Sequence, residues 1–261
     1  MKYFINFYKN HAVKHGFCYT LAMENERKTL KICHLYPKLL NLYGDIGNIK
    51  ALRYRAEQRG IEVELTEVNS GDDIPDADIY FIGGGQDRQQ IDVSLELQKH
   101  KAFLIQKRDE NKVFLAICGG YQLLADYFQP IEGEKLIGIS LLSGYTVGGK
   151  KRFIGNVTAK TEFTTPETLV GFENHSGRTY LTGETKPLSK IIIGNGNNGE
   201  DLTEGARYKN IFGTYLHGSF LPKNPHFTDY LIKLALGNAE LSELDDTIEM
   251  NAHKSLINKA Y

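Results

Sequence analysis

The chain has 261 residues, 41% of them hydrophobic and 24% charged, the profile of a soluble globular protein long enough for a sizeable core. Its 31 basic and 32 acidic residues leave a net charge of −1, which offers no strong field to nucleic acid or a membrane surface. No apolar run nears the ~18 residues of a transmembrane helix, and three scattered cysteines, Cys18, Cys33 and Cys118, suit a reducing compartment better than a disulfide frame or a zinc site.

Residues 1–29 show no clear periodicity. Lys9, Asn10, His11, Lys14 and His15 interrupt any apolar stretch a signal peptide would need. Met23 is the expected working start codon, which makes the residues before it an upstream extension. Leu30 to Leu35 reads as the first strand. Asp45 or Asn48 then offers an N-cap for a helix running to about Gln58, with Gly60 in the usual place just past a helix end. Ile61, Val63 and Leu65 alternate as a second strand to Val68. Ile79 to Ile82 is a short buried strand closed by Gly83-Gly84-Gly85, and a helix follows from about Asp87 to Asp109.

Val113 to Ile117 is an unbroken apolar run that ends at Cys118-Gly119-Gly120, with a helical pattern from Gly120 to Tyr127 directly behind it. A strand, a tight turn and a helix with a thiol at the corner predict a strained elbow that lifts the cysteine above the sheet. The glycines allow close approach of a substrate to the backbone, and the helix start favours the thiolate. Strands alternating with helices in this half predict an α/β protein, a mostly parallel sheet of flavodoxin-like kind flanked by helices.

From Ile137 the pattern becomes β-rich. Short strands are expected at Ile139–Leu142, Phe153–Thr158, Leu169–Phe172, Lys190–Ile193 and Ile211–Tyr215, and a helix from Pro222 to Leu236. No repeat or linker divides the chain. The expected organisation is an N-terminal extension over 1–29, one domain over 30–237 and a polar, helical surface tail over 238–261. Gly194-Asn195-Gly196-Asn197-Asn198-Gly199 matches Gly-x-Gly-x-x-Gly, but no helix opens there, so an exposed Asn-Gly turn is expected instead of a dinucleotide site. His217 stands at a strand end equivalent to that of Cys118, where a base for a cysteine nucleophile would be needed. His175, in Glu173-Asn174-His175-Ser176, is the rival base, read as a loop residue. Backbone N–H groups of Gly83-Gly84-Gly85 and of Gly119 are candidates for an oxyanion hole.

Six segments in order carry a resemblance: Leu42-Tyr43-Gly44-Asp45-Ile46-Gly47-Asn48, Phe81-Ile82-Gly83-Gly84-Gly85-Gln86-Asp87, Ile117-Cys118-Gly119-Gly120, Gly171-Phe172-Glu173-Asn174-His175-Ser176-Gly177-Arg178-Thr179, Gly194-Asn195-Gly196-Asn197-Asn198 and Gly213-Thr214-Tyr215-Leu216-His217-Gly218. From about Leu30 to about Leu236 the chain resembles the class I (triad-type) glutamine amidotransferase domain. Within it the likeness is to the cobyric-acid-synthase-like branch, and more narrowly to the glutaminase subunits of lipid II isoglutaminyl synthases.

The resemblance implies that Cys118 is the nucleophile on the amide of L-glutamine and His217 its base. It also implies that N–H groups near Gly84 and Gly119 hold the oxyanion, and that Gln122 and Arg152 contact the substrate, Arg152 through the α-carboxylate. It implies no cofactor in this chain. ATP and Mg²⁺ are expected on a MurT-like Mur ligase subunit, which would form a heterodimer with it and amidate the D-glutamate of lipid II to D-isoglutamine. The whole would work in the cytoplasm, at the inner membrane face through the partner and lipid II. A stand-alone γ-glutamyl hydrolase and a non-catalytic scaffold of the same fold are the alternatives. One departure stands out. Many class I domains carry His-x-Glu, whereas here the residues are His217-Gly218-Ser219, so the carboxylate that orients the histidine is expected from the partner.

Overall fold

The computed structural model describes residues 28–41 and 44–257, so the reading of Met23 as the start lies outside the described residues, as do Leu42 and Tyr43. The elements in chain order are β1 (Thr29–Leu35), α1 (Ile46–Glu57), β2 (Glu62–Val68), β3 (Ile79–Ile82), α2 (Asp87–Asp109), β4 (Val113–Ile117) and α3 (Gly119–Leu124). Then follow β5 (Tyr127–Gln129), β6 (Leu136–Ile137), β7 (Gly144–Lys160), β8 (Thr168–Leu181), β9 (Ser189–Ile193), β10 (Thr203–Glu204), β11 (Ala206–Tyr208) and β12 (Ile211–Thr214). A 3₁₀ turn (Leu221–Lys223), α4 (Pro225–Ala235) and α5 (Thr247–Leu256) complete the described residues.

The first sheet has the order β11-β12-β4-β3-β1-β2. All its pairs are parallel except the β11–β12 edge. Every residue of β4 is buried, as expected for a central parallel strand covered on both faces. Phe114 and Ala116 join a core with Val93, Leu97 and Leu104 of α2. Val113, Leu115 and Ile117 join the opposite core with Ile49 and Leu52 of α1 and Phe227 and Leu231 of α4. Burying each of the larger of these side chains contributes roughly 1.5–3 kcal/mol. The sheet places the segments after β1, β3, β4 and β12 along its carboxyl edge, where open α/β sheets bind ligands.

The second sheet runs β10-β9-β7-β5-β6, with β8 also paired to β7. Here β7 and β8 are far longer than the strands expected at Phe153–Thr158 and Leu169–Phe172. Their antiparallel register runs from Gly144↔Leu181 to Lys160↔Thr168 and is broken by an irregularity between Gly148 and Phe153. An isolated bridge between Phe172 and His217 joins β8 to the end of the first sheet.

Three expectations are corrected. Neither Asp45 nor Asn48 caps α1 through its side chain. Asn41 accepts the Ile46 N–H instead, while Asn48 accepts the N–H of Leu221. The helix after the elbow stops at Leu124 because Asp126 receives the Gly144 N–H and Tyr127 enters β5. Ile139–Leu142 is a buried loop and not a strand. Ser140 there has φ 55°, which a strand does not tolerate. The tail carries the helix α5 and is tied down by Arg55, which grips both Asp229 of α4 and Asp246 at the start of α5. His253 is fully buried between Thr168 Oγ1 at 2.8 Å and Lys223 O at 2.8 Å.

Candidate active site

Cys118 follows β4 with φ 49° and ψ −104°, a backbone that non-glycine residues adopt only at a cost of ~1–3 kcal/mol. The surroundings enforce it. The Cys118 N–H is tied to Thr214 O at 2.8 Å, and Gly120 is packed so closely on β3 that a Cβ there would stand 2.8 Å from Ile82 O and Gly83 O. The strained corner read from the sequence is therefore present. The helix behind it has only six residues, so little macrodipole acts on the thiol.

His217 follows β12 and is 1% exposed. Its N–H is donated to Phe172 O at 2.8 Å. Burial pushes its imidazole down to about 3, with His175, Arg152 and Lys223 adding repulsion, so the ring is held neutral, the form a base needs. Gly84 is where the site converges. A Cβ on Gly84 would lie 3.2 Å from His217 Cε1, 3.4 Å from Cys118 Cβ and 3.4 Å from Asp45 Oδ2.

Asp45 is the residue that sequence reasoning placed elsewhere. It is fully buried, Oδ2 accepts the Gly84 N–H at 2.6 Å, and Oδ1 stands 4.0 Å from His217 Nδ1. Burial raises its carboxyl to about 7, opposed by the Gly84 bond. A carboxylate thus lies beside His217 within this chain. The Gly84 N–H, expected to face an oxyanion, is given to Asp45. The neighbouring Gly85 nitrogen is the one that approaches the elbow, 3.0 Å from where a Gly119 Cβ would be.

A cleft of about 610 Å³ opens on Cys118, lined among others by Gly85, Arg88, Gln90, Gln122, Arg152 and His175. Arg152 sits beside the β7 irregularity and is oriented by Asn174, donating Nε to Oδ1 at 2.5 Å and Nη2 to the carbonyl at 3.0 Å. Gln122 lines the cleft, yet its amide donates to Tyr215 Oη at 3.1 Å. The Tyr215 hydroxyl also bonds Thr179 at 2.6 Å, and its ring lies flat on His175, with centroids 3.7 Å apart.

His175 is not on a loop. It is an inward residue of β8, 2% exposed, bonded through Nδ1 to Gly177 O at 2.9 Å, with Nε2 3.8 Å from Glu173. Burial lowers its pKa against the pull of Glu173. Burial works against ionisation of Glu173 as well, yet the His175 ring beside it and hydrogen bonds from Asn195 and Gly196 hold its carboxyl below the ordinary range. The donors to Glu173 are the Asn195 N–H and Nδ2 and the Gly196 N–H, at 2.6–2.9 Å. The Gly-rich turn does bind an anion, and the anion is this internal carboxylate.

Sequence reasoning also passed over Arg88 and Gln90, which face the cleft from the first turn of α2. Their signal was position, directly behind the triple glycine. Among the described residues no group of three or more His, Cys, Asp or Glu side chains could hold a metal ion, and no helix is long and apolar enough to cross a membrane.

A family model described as a CobB/CobQ-like glutamine amidotransferase domain matches residues 31–225. The chain is 43% identical over 237 residues to the lipid II isoglutaminyl synthase (glutamine-hydrolyzing) subunit GatD of Staphylococcus aureus (strain N315), covering 88% of this chain and 96% of that one. It is 42% identical to the subunit of the same name from Streptococcus pneumoniae (strain ATCC BAA-255 / R6), covering 79% and 80%. Similarity to a probable cobyric acid synthase of Methanosphaera stadtmanae is 31%, over 76% of this chain and 39% of that longer one. Among solved structures, the PurLQS structure from Thermotoga maritima matches with TM-score 0.54 and 20% identity over 72% of this chain and 87% of that one. A glutamine amidotransferase from the same organism matches with TM-score 0.52 and 14% identity over 87% and 96%. These two likenesses speak for the fold.

Proposed function

The chain belongs to the CobB/CobQ-like glutamine amidotransferase family, and on that premise we propose that it is the glutaminase subunit of a lipid II isoglutaminyl synthase. The observation that carries this reading is the 43% identity extending over 96% of a relative of that name. In the reaction, Cys118 Sγ attacks the side-chain amide carbon of L-glutamine as His217 takes the thiol proton. The tetrahedral oxyanion is held by the Gly119 N–H together with an N–H of the triple-glycine turn. Collapse expels ammonia, protonated by His217, and leaves a γ-glutamyl thioester that water hydrolyses with His217 again as base. Arg152 binds the α-carboxylate; its planar fork meets both oxygens.

Ammonia so released serves a MurT-like ligase subunit that binds ATP and Mg²⁺ and activates the α-carboxyl of D-glutamate in lipid II. The sequence has no Gly-x-x-x-x-Gly-Lys-Ser/Thr loop of its own for that step. The heterodimer would act in the cytoplasm at the membrane face where lipid II is presented. Co-purification with the ligase subunit and assay of lipid II amidation tests the reading. Glutamine plus ATP should support amidation with the native chain. Cys118→Ala should abolish the glutamine-dependent reaction and leave that driven by ammonium chloride. A Cys118→Ala complex that still uses glutamine would overturn it, and full glutaminase activity of the lone chain with no coupling to a ligase would favour a stand-alone hydrolase.

A further inference from the structure

The missing acid after His217 leaves a gap that Asp45 is placed to fill. We propose that Asp45, from the turn between β1 and α1, is the positioning carboxylate of His217, tying its ring to the Gly83–Gly85 turn so that the opposite ring nitrogen is presented to Cys118. The inference rests on the reading of Cys118 and His217 as the glutamine-cleaving pair and adds a residue to it.

Three observations carry it. The first is geometric. Asp45 Oδ1 is 4.0 Å from His217 Nδ1, and one point above Gly84 is within 3.4 Å of atoms of Asp45, His217 and Cys118 together. The second is an unspent acceptor. Asp45 is fully buried and Oδ2 takes the Gly84 N–H, while Oδ1 has no hydrogen-bond partner among the described residues. A buried acceptor left in that state is destabilising and rare in folded chains, so it calls for an explanation. The third is what Asp45 forgoes. It stands at the N-cap of α1, where a side-chain bond to the first turn is stabilising, and it makes none. A cap residue turned away from its helix toward a histidine is a local rule broken at a functional place.

The other groups acting on His217 oppose its protonation: Arg152 from β7, Lys223 from the 3₁₀ turn and, when it carries a proton, His175 from β8. Asp45 is the acid beside it. When the thiol gives up its proton, the Sγ–H bond breaks and an N–H bond forms on His217. The resulting imidazolium, in a buried site near Arg152 and Lys223, then faces the Asp45 carboxylate through Nδ1–H. The 4.0 Å approach has to shorten to hydrogen-bond reach in the loaded site, as catalytic contacts do on substrate binding.

The test is Asp45→Asn in the full chain assembled with its ligase subunit. The amide keeps the volume and can still accept the Gly84 N–H, but it cannot stabilise the imidazolium and can donate to Nδ1, which favours the wrong tautomer. Substitutions of this kind in a serine-protease triad cost about 10⁴ in kcat with the geometry intact. For the variant we expect glutaminase kcat to fall at least a hundredfold, KM to stay within about threefold and the melting temperature not to fall.

A second readout needs no glutamine. The rate of Cys118 alkylation by iodoacetamide, followed by mass across pH, should drop in Asp45→Asn and in His217→Ala, with the double variant no slower than His217→Ala alone. A wild-type kcat, or an alkylation profile superimposable on wild type, overturns the inference and returns the search for the acid to the partner. A wild-type complex that fails to hydrolyse glutamine counts against the proposed function, and the alkylation profiles still decide the place of Asp45.

Discussion

Replacing Gly84 by alanine adds one methyl at the point where the site converges. The backbone there has no positive φ that would forbid a side chain, so strain is not the issue. The new carbon would meet His217 Cε1 at 3.2 Å and Cys118 Cβ and Asp45 Oδ2 at 3.4 Å. Carbon–carbon contacts are comfortable near 3.5–4.0 Å, so His217 and Cys118 must part by a few tenths of an ångström. Overpacking of that size costs about 1 kcal/mol, which a domain of this length shows as a fall of about 2–4 °C in melting temperature. Catalysis should suffer far more. The proposed nucleophile and base lie on separate strand ends and would work only at near-attack geometry, where a misplacement of ~1 Å costs ~100-fold. The expectation is a tenfold to hundredfold loss of kcat, about 1.4–2.7 kcal/mol of barrier, with KM little changed. The control is Gly155→Ala in β7, where the added methyl meets nothing within 4 Å; its activity should match wild type. Steady-state glutaminase kinetics beside a thermal melt reads both quantities. Full activity in Gly84→Ala would refute the convergence of Cys118 and His217 on Gly84.

Three further outcomes follow from named groups. Arg152→Lys keeps the charge but loses the fork, so KM for glutamine should rise about tenfold with kcat within a few-fold; an unchanged KM would remove Arg152 from the substrate. Burial raises the Glu204 carboxyl to about 7, so the unfolded chain loses that proton first and stability falls as pH rises from about 4.5 to 7. Glu204→Gln, able to accept from Thr214 and Tyr215 as Glu204 does, should gain about 3 kcal/mol on wild type between those limits, at about 1.4 kcal/mol per unit, read from denaturant midpoints. His34 has the opposite sign. Its ring is fully buried with neither nitrogen hydrogen-bonded among the described residues, and burial lowers it to about 4. The unfolded chain therefore takes up the proton first, and stability is lost as pH falls from 6.5 toward 4; His34→Leu should flatten that acid limb, and an equally steep limb would count against a buried neutral ring.

What could be read from the sequence was what local pattern encodes. The central strand of five apolar residues, the glycines behind Cys118 and the triple glycine behind β3 each carry their meaning within ten residues, and the parallel sheet follows from their alternation with helices. The site's polar half escaped for two physical reasons. Along β8 the inward positions Glu173, His175, Gly177 and Thr179 alternate with more exposed neighbours, a strand period written in polar residues, so a search for apolar alternation saw a loop around His175. The sign was there in the spacing of two, and the buried partners that satisfy it, Tyr215 and the Asn195–Gly196 turn, come from elsewhere in the chain. Asp45 escaped because a helix cap explains it completely at the level of sequence. Only the fold shows that β1 and β12 end on the same edge, with β3 and β4 between them, so that the carboxylate absent two residues after His217 is supplied from the first turn of the sheet. An acid next to its histidine in sequence is one way to build such a pair; two strand ends on one sheet edge are another, and the sheet order decides which is available.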